Sequence, residues 1–162
     1  MTIFKKNLLK KKIIESNKLK FSLLKNINNM NGIVSSIVYS IINGGKVMLC
    51  GNGGSAADAQ HLAAEFLVRL TAKKNRNPIP AISLATDVST LTACGNDFSY
   101  NKIFSRNLRA LGKTEDILIA ISTSGNSANI IDVLKVSKKM NIKSIGFLGS
   151  SGGKAKKLCD YK

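Results

Sequence analysis

The chain has 162 residues, 44% of them hydrophobic, enough for one domain with a core of its own. No apolar run approaches the length of a membrane span, and lysines interrupt residues 1–12 too often for a signal-peptide core. The formal charge of +16 raises the question of nucleic acid, but the excess is almost all lysine. It lacks the arginine clusters and interleaved aromatics of base readout and reads as a solvated surface. The expectation is therefore no nucleic-acid partner and no membrane. Three cysteines (Cys50, Cys94, Cys159), odd in number and without metal-type spacing, imply reduced thiols and a cytoplasmic setting.

From Phe4 to Ile42 apolar residues recur at helical spacing, including Phe21, Leu24, Ile27, Met30, Val34 and Ile41. This predicts one long or two shorter amphipathic helices, ended by Asn43-Gly44-Gly45. So long an apolar stripe either covers the core or packs on another subunit. The chain thus divides into a helical segment, 1–45, and an α/β domain, 46–162. That domain opens with an apolar strand over 47–50 and a glycine-rich turn (Gly51, Gly53, Gly54). Ser55 is the candidate cap of a helix reaching about Leu70.

A polar connection holding both prolines leads to a strand over 81–84. Asp87 or Ser89 caps a short helix through Cys94, closed by Gly95-Asn96-Asp97. The next helix carries Ile103, Phe104, Leu108 and Leu111 and stops at Gly112. A third strand over 116–121 leads through Ser122-Thr123-Ser124-Gly125-Asn126-Ser127 into a helix with Ile130, Ile131, Leu134 and Val136. A fourth strand over 144–148, the loop 149–153 and a helical start over 154–159 complete the pattern.

Short apolar strands alternating with helices indicate βαβ units. With right-handed crossovers they give a three-layer αβα sandwich around a parallel, doubly wound sheet, preceded by N-terminal helices. Ligands in such sheets bind beyond the carboxyl ends of the strands, where loops 51–55, 85–90, 122–127 and 149–153 must lie.

Two of these stretches carry chemistry. The hydroxyls of Ser122, Thr123, Ser124 and Ser127, with the amides of a helix start, suit a phosphate group. The chain lacks the Gly-Lys-Ser/Thr ending of a Walker loop, and 51–54 lacks the third glycine of a dinucleotide fingerprint. A small sugar phosphate fits better than a nucleotide. His61, the only histidine, stands at i,i+4 with Glu65. The pair could bind zinc, exchange protons or form a surface hydrogen bond; two ligands do not complete a zinc site. A carboxylate beside a sugar phosphate suits proton removal next to a carbonyl, which interconverts aldose and ketose.

The segments 50–61, 95–97, 103–106 and 121–127 (Cys-Gly-Asn-Gly-Gly-Ser-Ala-Ala-Asp-Ala-Gln-His, Gly-Asn-Asp, Ile-Phe-Ser-Arg and Ile-Ser-Thr-Ser-Gly-Asn-Ser) resemble bacterial phosphoheptose isomerases. These are the sedoheptulose 7-phosphate isomerases of the sugar-isomerase (SIS) domain superfamily, whose sheet is flavodoxin-like. The resemblance implies a homotetramer with sites between subunits. It implies conversion of sedoheptulose 7-phosphate to D-glycero-D-manno-heptose 7-phosphate, toward the heptose of lipopolysaccharide. It places Asn52, Gly53, Gly54 and Ser55 near substrate, Asn96 and Asp97 along the sugar, and Ser122, Thr123, Ser124 and Ser127 on the phosphate. His61 and Glu65 become ligands of one zinc per subunit, with Glu65 also the substrate-binding base.

The family pattern runs past the position of Tyr161 into a strand and a helix bearing a glutamine and a histidine. The expectation for these 162 residues is thus half of the zinc site and one sheet edge short of a strand and its covering helix. Alternatives are a non-catalytic paralogue that binds the replication initiator, in which the acid at the position of Glu65 is lost, or a sugar-phosphate sensor. The presence of Glu65 favours the isomerase.

Overall fold

The structure, a computed structural model, describes residues 2–149 and 151–162, with side chains from Asn7 onward. The N-terminal helical pattern resolves into α1 (Thr2–Ser22), a 3₁₀ turn (Leu23–Asn26) and α2 (Ile27–Ile42). Gly32 does not break α2. A Cβ there would lie 3.0 Å from the ring of Tyr161, so this glycine is the place where a ring approaches the helix. Gly44, at φ +80°, ends the segment as Asn43-Gly44-Gly45 predicts.

The α/β domain runs β1 (Val47–Gly51), α3 (Gly54–Leu67), β2 (Ala81–Ser83), α4 (Val88–Asp97), α5 (Ile103–Leu111), β3 (Ile117–Ser122), α6 (Ala128–Lys139) and β4 (Lys143–Leu148). The four strands are parallel, in the order β2-β1-β3-β4. Residues 47–51 are buried without interruption because β1 is central and covered on both faces. Side-chain alternation divides the core. Val47 and Leu49 join Ile117, Ile119 and Ile145 beneath α2 and α3. Met48 and Cys50 join Leu118 and Ala120 beneath α4, α5 and α6. The sandwich therefore has three layers, as the strand–helix alternation requires.

Several boundaries differ from those read in the sequence. Helix α3 is capped by Gly53, not Ser55, which falls inside the first turn, and it ends at Leu67. Asp87 does cap α4, its side chain accepting from the amide of Ser89 at 3.0 Å, but Gly95-Asn96-Asp97 forms the last helical turn and not its stop. After β4 the expected helix is a single 3₁₀ turn (Ala155–Lys157). Ser150, in the loop 149–153, lies outside the described residues. Beyond that loop Tyr161 forms a parallel bridge with Ile145, its carbonyl accepting from the amide of Gly146 at 2.8 Å. The β4 edge thus carries a single bridged residue among those described.

Tyr161 also fastens α2. Its hydroxyl accepts from Ser36 Oγ at 2.9 Å, and Asn29 Nδ2 donates to the carbonyl of Lys162 at 2.6 Å. On the other side of the sheet entrance, buried Asp116 accepts from the amide and Nζ of Lys46 at 2.9 and 2.7 Å and from the amide of Lys113 at 2.8 Å. Among the described residues no helix is long and apolar enough to cross a membrane.

Candidate functional site

The sheet reverses its winding between β1 and β3: the chain leaves β1 for β2 on one side, then returns to lay β3 on the other. At such a switch point the loops leaving two neighbouring strands diverge and open a crevice. Here those are the turn 51–54 and the loop 122–127. Gly53 sits at φ +54°, ψ −120°, a conformation that glycine adopts without strain, and Gly53 and Gly54 face open space. The amides of Ser55 and Ala56 donate to the carbonyls of Asn52 and Gly53 at 3.0 Å each and that of Ala57 to Gly53 at 3.2 Å, which winds the turn tightly into α3.

The opposite lip is built from hydroxyls. Ser122 is buried and its Oγ accepts from the amide of Gly125 at 3.0 Å, which bends the loop back on itself. Ser124 Oγ accepts from the amide of Asn126 at 3.1 Å. Thr123 and Ser124 are exposed. Ser127 is the N-cap residue of α6 yet its hydroxyl makes no capping bond, so it is free to turn toward a ligand. The loop rests on its neighbour: the amide of Ala155 donates to the carbonyl of Gly125 at 2.9 Å, and that of Lys154 to Asn126 Oδ1 at 3.1 Å.

The two lips are tied together. Asn52 and Asn129, in the first turn of α6, exchange hydrogen bonds of 2.9 and 2.8 Å, and Tyr100 donates its hydroxyl to Asn52 Oδ1 at 3.1 Å. Neither Asn129 nor Tyr100 was singled out by sequence reasoning. Asn129 lies 77 positions from its partner, and an asparagine after a serine-rich loop looks like any capping residue. Asn96 and Asp97 lie exposed at the end of α4, with Asn96 Nδ2 donating to Asp97 Oδ1 at 2.8 Å.

His61 and Glu65 stand apart from this crevice. Glu65 is 11 residues beyond the start of α3, about three turns or roughly 16 Å along its axis. His61 Nε2 is 3.5 Å from Glu65 Oε1, with the imidazole exposed and the carboxylate only 26% exposed. Arg76 donates to the backbone carbonyl of Glu65 and steadies that turn. The second carboxylate oxygen, Oε2, is buried without a hydrogen-bond partner, and an ionised oxygen left so is costly unless a proton or cation completes it. One imidazole nitrogen and one free carboxylate oxygen on a single helix face fit two positions of a zinc ion. Among the described residues no third histidine, cysteine or acidic group joins them.

A parallel αβα sandwich with glycine and Ser/Thr loops at its switch point is the architecture of an SIS domain, and the SIS-domain family model matches residues 16–149. The chain is 46% identical over 159 residues to a phosphoheptose isomerase of Clostridium acetobutylicum, covering 96% of this chain and 80% of that protein. It is 53% identical over 123 residues to one from Aliarcobacter butzleri, covering 76% of this chain but 64% of the relative, less than two thirds of its length. The solved phosphoheptose isomerase from Neisseria gonorrhoeae superposes with a TM-score of 0.81 at 38% identity, covering 91% of this chain and 77% of that one. The chain belongs to the phosphoheptose isomerase family.

Proposed function

We propose that this chain carries the sugar-phosphate site of an aldose–ketose isomerase acting on sedoheptulose 7-phosphate and yielding D-glycero-D-manno-heptose 7-phosphate. The observation that carries the reading is the crevice between β1 and β3, where a glycine turn faces a Ser/Thr loop without a fixed cation. Ser122, Thr123, Ser124 and Ser127 hold the phosphate with the amides at the α6 start. Gly53, Gly54 and Ser55 hold the sugar, and Asn96 and Asp97 bound its far side.

Glu65 is the base. Its carboxylate removes a proton from C1 of the ketose as the C1–C2 double bond forms and O2 gains a proton, giving an enediol. Return of the proton to C2, with loss of the O1 proton, completes the aldose. The unpartnered Oε2 supports a role for this carboxylate, since a buried ionised oxygen without a partner awaits a proton or a cation. His61 and Glu65 are proposed ligands of one zinc per subunit, the remaining ligands coming from outside the described residues. When bound, zinc would polarise the oxygens on C1 and C2.

With Glu65 about three turns along α3 from its own crevice, the reading is of a site shared between copies. Exposed apolar residues along α1, the 3₁₀ turn and α2 provide the surface, among them Phe21 at 71%, Leu24 at 64% and Ile42 at 78% exposure. A groove of about 350 Å³ between α2, Phe66 and Ile79 is continuous with it. Homo-oligomerisation, as a tetramer in the cytoplasm, follows from this reading. Its heptose product fits lipopolysaccharide precursor synthesis.

The test is isomerisation of sedoheptulose 7-phosphate by the protein and by Glu65→Gln. The amide keeps the shape but accepts no proton, so kcat should fall by roughly 10²–10⁴-fold with substrate affinity little changed. Full activity in Glu65→Gln would remove the proton-transfer role.

A further inference from the structure

We infer that Asn129 is a positioning residue that locks the sugar-holding turn to the phosphate-holding loop, with Tyr100 as an outer brace. The inference rests on the functional reading above and refines it. Asn129 is 2% exposed, so its carboxamide meets no solvent and its polar atoms must be paired inside the protein. Both are: Nδ2 donates to Asn52 Oδ1 at 2.8 Å and Oδ1 accepts from Asn52 Nδ2 at 2.9 Å. Tyr100 adds a second donor on Asn52 Oδ1.

The Asn52 oxygen thereby accepts two hydrogen bonds, the capacity of its two lone pairs. Its oxygen is committed to the protein, so the sugar meets the turn through the backbone of Gly53 and Gly54 and through the second N–H of Asn52 Nδ2 at most. Asn129 is two residues past Ser127 on the first turn of α6, so the helix start that receives the phosphate and the amide that grips Asn52 move as one rigid piece. A ligand bridging both lips senses their separation, whereas a ligand on the phosphate loop alone does not.

The reciprocal bonds require a group that both donates and accepts, a demand met by Asn129 and not by leucine of similar size. Asn129→Leu leaves Asn52 with the Tyr100 bond alone. Affinities for sedoheptulose 7-phosphate and for inorganic phosphate are to be measured by calorimetry on the intact protein, Asn129→Leu and Tyr100→Phe. Loss of two hydrogen bonds should weaken sugar-phosphate binding about tenfold or more in Asn129→Leu, while inorganic phosphate binds within about threefold of the parent. Tyr100→Phe, which removes one exposed bond and leaves packing intact, should show the same selectivity at about threefold.

Equal losses for both ligands would mean damage to the phosphate loop and would overturn the positioning role, as would no loss for either. If the parent protein binds inorganic phosphate but no sedoheptulose 7-phosphate, the substrate assignment fails and the role falls with it. If the parent binds both and neither variant discriminates, the positioning role alone fails.

Discussion

Gly125→Ala offers a clean measure of how closely the phosphate-binding loop is fitted to its neighbour. Gly125 has φ +64°, and a Cβ there would lie 2.0 Å from the carbonyl oxygen of Gly152 and 2.4 Å from its carbon. Gly44 has φ +80° and no atom within 4 Å of its Cβ position. Both alanine variants carry the cost of a left-handed L-residue, roughly 1–2 kcal/mol. Only Gly125→Ala must also push the two loop backbones apart by more than about an ångström to reach van der Waals distance. That displacement breaks the Ala155–Gly125 and Lys154–Asn126 hydrogen bonds, worth about 1 kcal/mol each.

The expected losses are therefore roughly 1–2 kcal/mol for Gly44→Ala and roughly 3–4 kcal/mol for Gly125→Ala. Urea unfolding of the two variants with the parent measures both. Phosphate affinity should fall in Gly125→Ala and stay unchanged in Gly44→Ala. Equal destabilisation of the two would show that contact between loops 122–127 and 149–153 contributes nothing and would refute the steric account.

Asp116→Ala should destabilise the protein by about 3–5 kcal/mol, because it strips the buried partner of the Lys46 ammonium and leaves the Lys46 and Lys113 amides unpaired; a loss below about 1 kcal/mol in urea would contradict the geometry. The cysteines should be silent toward an aromatic disulfide reagent at neutral to mildly alkaline pH and all react after denaturation. Burial, then the charge of Asp160, pushes the Cys159 thiol up to about 11, and burial, then Cys159, pushes Cys50 higher still, so the thiolate is scarce in both. Rapid reaction of the native protein would show an open path to one of them.

The layered fold was legible because strands covered on both faces leave unbroken apolar runs, as in residues 47–50 and 117–121. The loops that form the crevice were legible because glycine and hydroxyl residues cluster where strand meets helix. Boundaries were less so. Ser55 looked like a cap, but the sharp turn needs a residue tolerant of positive φ two positions earlier, and Gly53 takes the position. Gly95 looked like a helix stop, yet Cys94 is buried and anchors the turn, so packing overrides propensity. The Asn52–Asn129 pair had no sequence signal, being a meeting of two ordinary asparagines across the sheet. The distance between Glu65 and the crevice followed only once the length and start of α3 were fixed.

The seat of α2 has a consequence for how the molecule assembles during synthesis. Ser36 and Asn29 are bonded to Tyr161 and Lys162, partners 125 and 133 positions away. Helix α2 thus waits for residues made 125 or more positions later before these polar anchors exist. Contacts of such separation form late, after local βαβ units have condensed. The apolar stripe of α1 and α2 therefore stays loosely held on the ribosome while the sheet grows. Premature association between nascent chains is the hazard this creates, and it lasts until the latch at Tyr161 closes.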